Sequence, residues 1–275
     1  MRPLIGGSVK KIDRRREVKN ERQEKARQER WIIEKEKHGF FFIRMLRKDG
    51  MKYLIFDIDD TLIPSTKFYA EAMQEIGVDP EDKAYLDGRL ETKKDLPEGY
   101  PSSRNRVIYF KKMLELKGEY TPQRHYQLVS GYEKALSYRV KHFWESNRRS
   151  EIIMELKKQF KRVILLSNET TRMQLLKWQA MDPEGELFDG LITSEEVGIE
   201  KPHFKMFQKA LQYLGNVPAE ESVMVGDSFE HDIVPALDLG FSVIHTKEFK
   251  PTALRSESQR YQQIFHLEDL KKIIR

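Results

Sequence analysis

The chain has 275 residues, 39% of them hydrophobic and 34% charged, with no cysteine and a formal net charge of +5. That length suits one large domain, or one domain carrying an insertion. The composition excludes disulfides, thiolate metal sites and a cysteine nucleophile, and no apolar run approaches the roughly 18 residues of a membrane span.

The first 40 residues hold no uninterrupted apolar core of the secretory kind. With the missing cysteines, this sets the expectation of a cytoplasmic protein. The charge is unevenly divided. Residues 1–50 hold 16 Lys and Arg against 8 Asp and Glu, whereas the rest of the chain holds 33 against 36. The basic character therefore belongs to the leader, and the mildly acidic body gives no reason to expect a nucleic-acid partner.

Within the leader, residues 8–38 read as a solvated helix of alternating charge, with Glu21 and Lys25 at the favourable i,i+4 spacing. Apolar positions are too sparse for a coiled-coil seam. A start at Met51 or Met45 would leave a chain that is complete by itself. Residues 1–50 are thus expected to be a charged, helical extension. It is either a dispensable appendage or start-site artefact, or a basic tail that meets an anionic polymer or surface.

From Met51 onward short apolar runs alternate with amphipathic stretches. Strands are predicted at Tyr53–Phe56, Val163–Leu166, Leu191–Thr193, Ser222–Val225 and Ser242–His245. Each is nearly all apolar, as expected when both faces of a parallel sheet are covered. Helical patterns lie at about Arg172–Gln179, Phe204–Leu214, Asp232–Leu239 and Leu267–Ile274. This alternation predicts an α/β fold with a doubly wound, Rossmann-like parallel sheet. About a hundred residues separate the first two strands, far more than one crossover helix requires. Residues 67–145 therefore read as an inserted helical cap, and residues 51–66 and 146–275 as the α/β core.

Ligands of an open parallel sheet bind outside the carboxyl ends of its strands. Asp57, Asp59, Asp60 and Thr61 follow the first predicted strand, and Ser167-Asn168-Glu169 the second. Lys201 follows the third, and Gly226-Asp227-Ser228 the fourth, with Asp232 five residues beyond Asp227. One edge thus collects carboxylates suited to a hard cation, a hydroxyl and an amine.

These residues resemble the four motifs of the haloacid dehalogenase superfamily, in order: "DIDDT", the Ser167 of "LLSNE", the Lys201 of "KPHFKMF", and "GDSFEHD". The resemblance covers about residues 51–248, with the insertion in the place of the family's cap. It implies a capped phosphatase acting on a small phosphomonoester, of the nucleotide or sugar-phosphate class. Asp57 would attack phosphorus and form an aspartyl-phosphate. Asp59 would protonate the leaving alcohol and then deprotonate water. Magnesium would be held by Asp57, the backbone carbonyl of Asp59 and Asp227, with Asp232 orienting that shell. Lys201 would offset negative charge, and Ser167 with Asn168 would bind phosphoryl oxygens. Asp60 is expected to serve the turn, where many relatives carry Gly.

Blander readings stand beside these. An Asp pair at a strand end is commonly a turn or cap, and Ser167 and Asn168 read equally as caps for the next helix. His203, His231 and His245 have no spacing that suggests a metal site. Eight of the eleven tyrosines fall between residues 67 and 145. Helix packing is their preferred explanation, with Tyr100, Tyr109 and Tyr132 as candidates to reach substrate and Arg104 and Arg106 as candidates to meet a second anionic group.

A dehalogenase needs no acid at Asp59, which disfavours it, whereas a phosphomutase keeps both acids and stays open. A signalling receiver domain lacks the insertion and the two-residue spacing of its acids. A non-catalytic protein that uses residues 1–50 to bind an anionic polymer is the remaining rival. Partners are thus expected to be a small phosphate ester and magnesium, with no membrane.

Overall fold

The computed structural model describes residues 50–273 apart from 98, 252–254, 256, 257 and 259. The expected leader helix over 8–38 and its basic surface lie outside the described residues. The elements in chain order are β1 (Tyr53–Phe56), α1 (Ser65–Glu75), α2 (Lys83–Asp95), a 3₁₀ turn (Pro101–Arg104), α3 (Arg106–Leu116), α4 (Pro122–Ser146) and α5 (Arg149–Lys157). There follow β2 (Arg162–Ser167), α6 (Thr171–Met181), β3 (Leu191–Thr193), α7 (Ser194–Val197), α8 (Phe204–Tyr213) and β4 (Ser222–Gly226). A π turn (Phe229–Ile233), α9 (Val234–Asp238), β5 (Ser242–Thr246), β6 (Tyr261–Ile264) and α10 (Leu270–Ile273) complete it. Among the described residues no helix is long and apolar enough to cross a membrane.

The strands form one sheet in the order β3-β2-β1-β4-β5-β6, every pair parallel. All five predicted strands are present within a residue of their expected ends. Why their runs are continuously apolar is visible in the packing. Leu54 and Phe56 of β1 join one core with Val163, Leu165, Val223 and Val225. Ile55 joins the opposite core with Ile164, Leu166 and Met224. Side chains alternate across a strand, so a sheet covered on both sides needs apolar residues at every position.

β6 was not anticipated. Its "YQQI" is polar at two positions, yet all four residues are buried. Gln263 exchanges hydrogen bonds with the backbone of Arg255, which lets a polar side chain occupy a buried position. The helix expected over Asp232–Leu239 is also altered. Asp232 and Ile233 both donate backbone N–H groups to the Ser228 carbonyl, a wide turn that precedes the short α9.

Between β1 and β2 the chain builds the helices α1–α5, whose apolar faces continue the core on one side of the sheet. Phe110 packs edge-on to Tyr132 and tilted against Tyr85, and Tyr85 packs edge-on to Tyr109. Packing thus accounts for the buried tyrosines, while Tyr100, Tyr126 and Tyr138 are exposed. α2 and α3 approach closely at Gly88, where an added Cβ would stand 3.0 Å from Lys112 Cβ.

Candidate active site

The chain leaves β1 for one side of the sheet and later returns to the other side at β4. This makes the β1–β4 boundary the switch point where crossover loops part and leave a crevice. Asp57 and Asp227 lie there, immediately beyond β1 and β4. Asp57 is pinned by its backbone N–H, which donates to the Val225 carbonyl at 2.9 Å.

Carboxylate oxygens of Asp57, Asp227 and Asp232 lie within 4.8 Å of one another, all three residues buried. Lys201 Nζ donates to Asp57 Oδ1 at 2.7 Å, to Asp232 Oδ1 at 2.6 Å and to the Leu166 carbonyl at 3.0 Å. Thr61 Oγ1 lies 3.1 Å from Asp57 Oδ2 and 3.4 Å from Asp227 Oδ1. Burial pushes the Asp57 carboxyl up to about 8; Lys201 opposes this and the neighbouring acids add to it. Burial likewise raises Asp227 to about 6, with Asp232 reinforcing and Lys250 opposing. Burial works against the Lys201 ammonium, but Asp232 and Asp57 outweigh it and hold the amine firmly protonated. Three buried carboxylates thus meet here, with Lys201 between Asp57 and Asp232 and Lys250 at Asp227. Hard oxygen ligands in that arrangement suit a divalent cation such as magnesium.

Asp59 occupies different surroundings. Its carboxylate accepts from Lys177 Nζ at 2.6 Å, Tyr69 Oη at 2.8 Å and Gln174 Nε2 at 2.8 Å. Burial disfavours its charge, but the charge and hydrogen bond of Lys177, helped by Ser65 and Tyr69, hold it well below the usual carboxylate range. Asp59 is thus held by partners of its own and is not one of the three grouped carboxylates.

Ser167 Oγ is joined to Asp59 through Gln174 Nε2, 2.9 Å away. Asn168 is spent otherwise: its Oδ1 accepts from the Lys201 backbone N–H at 2.6 Å and its Nδ2 donates to the Lys201 carbonyl at 2.8 Å. Its side chain clamps the Lys201 loop, so any phosphoryl contact by residue 168 falls to its backbone. Asp232 reaches Lys201 and also accepts from the Ser228 N–H at 3.0 Å. Asp60 serves the turn: it has φ +57 and accepts from the Thr66 N–H at 2.9 Å. That left-handed backbone is where glycine is at ease.

Four participants were not legible in the sequence. Lys177 and Gln174, fully buried on α6, reach Asp59. The available signal was a polar pair at i,i+3 on the face that also buries Met173, Ala180 and Met181. Lys250 Nζ spans Asp60 at 2.6 Å and Asp227 at 2.9 Å. Tyr69 lies beneath Arg106, whose guanidinium carbon is 3.6 Å from the ring centroid.

His245 proves to be a core residue whose Nε2 pairs with the Asp227 carbonyl at 2.8 Å, and burial lowers its pKa to about 4. Over these groups the helical insertion encloses a cavity of about 600 Å³, lined by Asp57, Lys201 and Asp227 on the sheet side and Tyr85, Arg89 and Arg106 on the other.

A doubly wound α/β core with an acid-rich site at its switch point defines the class. A model of the haloacid dehalogenase-like hydrolases matches residues 51–240, and the chain belongs to that family. It is 33% identical over 203 residues to a ribulose-1,5-bisphosphate 5-phosphatase of Halopiger xanaduensis, covering 70% of this chain and 82% of that protein. It is 27% identical over 237 residues to a glyceraldehyde 3-phosphate phosphatase of Methanocaldococcus jannaschii, covering 82% and 97%. Among solved structures, the magnesium-bound HAD hydrolase YfnB of Bacillus subtilis shares the fold with a TM-score of 0.56 at 18% identity, covering 82% of this chain and 99% of that one.

Proposed function

We propose that the protein is a magnesium-dependent phosphatase that hydrolyses a small sugar-phosphate monoester through an aspartyl-phosphate. The observation that carries this reading is the meeting of Asp57, Asp227 and Asp232 around Lys201 at the β1–β4 boundary. Phosphatase relatives that act on ribulose bisphosphate and glyceraldehyde 3-phosphate support the sugar-phosphate class.

Asp57 Oδ2, the oxygen not held by Lys201, would attack phosphorus, and Lys201 would offset charge beside the nucleophile. Asp57, Asp227 and the backbone carbonyl of Asp59 would hold magnesium, with Asp232 keeping Lys201 and the Ser228 loop in place. The ion would neutralise the approach of a carboxylate to a phosphate dianion. Ser167 Oγ and the backbone at Asn168 would bind phosphoryl oxygens. Asp59, ionised beside Lys177, is ready for the base half of the reaction. An incoming phosphate dianion adds negative charge that raises its pKa and prepares the acid half. Tyr69 and Gln174 fix the direction of its carboxylate.

A release assay for inorganic phosphate over sugar phosphates, nucleotides and small triose esters tests the proposal. Turnover is expected only with magnesium, stopped by EDTA and restored by the metal. Asp59→Asn should slow it by about 10²–10⁴-fold, the usual scale of lost acid–base help. Turnover indifferent to chelation, or halide release from haloacids, would overturn it.

A further inference from the structure

We propose that the α2 wall of the cavity is a second anion subsite, built on Arg89 and Lys93, so that the substrate carries another phosphate or carboxylate besides the group that is cleaved. The inference rests on the phosphatase reading for where the cleaved group lies.

The cavity is electrically two-sided. Its sheet side holds the acids of the active site. Among the described residues, its cap side holds the cations Arg89, Lys93, Arg104 and Arg106 against one acid, Glu81. Two of these cations are already answered. Arg106 pairs with Glu169 at 3.3 Å, and Arg104 with Glu200 at 2.8 Å, each tying the cap to a core loop.

Arg89 and Lys93 make no ion pair with a described residue. The acids of the same helix do not compensate them. Asp87 is paired with Lys83, and Glu91 and Asp95 with Lys112 of α3. These acids follow at i, i+4 and i+8 and so form one stripe. Arg89 and Lys93, at i and i+4, form another that faces the cavity, and like charges at this spacing repel each other. Lys93 is exposed, and partial desolvation with the nearby Arg89 and Arg104 lowers its pKa against the opposing charge of Glu200, an imbalance that a bound anion would relieve.

Arginine offers a planar fork to phosphate or carboxylate, and lysine a point charge. Tyr85 and Tyr109 line the same cavity, an amphipathic surface suited to a short polyol carbon chain. A volume of about 600 Å³ fits a small doubly anionic ester.

The test compares matched esters with magnesium present: a pentose bisphosphate against the corresponding pentose 5-phosphate, and 3-phosphoglycerate against glycerol 3-phosphate. In at least one pair, kcat/KM should favour the doubly anionic member by about tenfold or more, the scale of a charge-assisted hydrogen bond. Which pair responds identifies the second group as phosphate or carboxylate. Arg89→Met with Lys93→Met should bring the ratio close to one, and Arg89→Lys should retain part of it. Ratios near one for the wild type in both pairs, or a ratio unchanged in the double variant, overturn the subsite.

A measurement free of turnover separates the two readings. In Asp57→Asn, the doubly anionic ester should raise Tm more than its partner, and the added substitutions should remove the difference. If the wild type releases phosphate from no ester, the phosphatase reading fails, and this thermal difference still decides the subsite.

Discussion

At the scale of single residues, the cluster around Asp57 stores electrostatic cost. The Asp57 carboxyl lies near 8, raised first by burial and then by Asp232 and Asp227. An acid whose folded pKa is raised holds its proton longer in the native state than in the unfolded chain. Its stabilising contribution is present below about 3.8 and is lost as pH rises toward about 8. Asp57→Asn removes that titration while leaving Lys201 its bonds to Asp232 and Leu166. Without metal, the variant should therefore melt above the wild type at pH 8, by about 2–4 °C for each kcal/mol relieved, with a smaller margin at pH 5. It should hydrolyse nothing. Scanning calorimetry at the two pH values checks the first expectation and phosphate release the second. Lys177 poses the opposite case, since its amine is the main cation compensating Asp59. Lys177→Met should cost about 3 kcal/mol, the scale for leaving one member of a buried pair alone, and Asp59→Asn in the same chain should return part of it. Denaturant unfolding of the two single variants and the double variant measures the coupling.

At the scale of elements, what was legible follows how each element is built. Strands covered on both faces declare themselves by continuous apolar runs, and their tips delivered Asp57, Ser167 and Asp227. β6 was silent because it carries two buried glutamines, one of which, Gln263, is held by hydrogen bonds to the Arg255 backbone that hydropathy does not register. Lys177 and Gln174 were silent because a helix disperses its inward residues among outward ones, so a buried polar pair reads as surface. Asn168 was singled out, but a motif cannot say that both ends of an amide are taken by the Lys201 backbone. The π turn after β4 has a definite requirement. An added Cβ at Gly226 would stand 2.5 Å from Asp232 Cβ, inside any permitted contact. Gly226→Ala must therefore push Asp232 away, and Lys201 with it. A displacement near 1 Å in a positioned group costs about 10²-fold in rate. We expect that loss in kcat, with the far-ultraviolet circular dichroism of the sheet retained; a near-normal kcat would show that Asp232 does not set the position of Lys201.

At the scale of the whole molecule, charge and architecture separate along the chain. The basic excess lies in residues 1–50, while every group placed in the site lies between Asp57 and Lys250. The segment between β1 and β2 is tied to the later part of the chain by Arg104–Glu200, Arg106–Glu169 and Arg172–Glu133, all within residues 51–273. Arg106 also covers Tyr69, which bonds Asp59, so the contact of the inserted helices with the Glu169 loop and the placement of the Asp59 carboxylate share one side chain. These contacts join described residues to one another, and the sheet, its two cores and the cavity are assembled from the same stretch. A chain beginning at Met51 should accordingly keep kcat/KM within about twofold of the full chain and the same magnesium requirement. Removing the leader takes away a net +8, leaving a body of net −3. Affinity for a polyanion such as heparin, measured as the salt concentration that elutes the protein, should then fall sharply, because such binding scales with the phosphate or sulfate charges neutralised. Loss of turnover on truncation would mean that the leader contributes a group to the site; unchanged elution would mean that the body, despite its acidity, presents a basic face of its own.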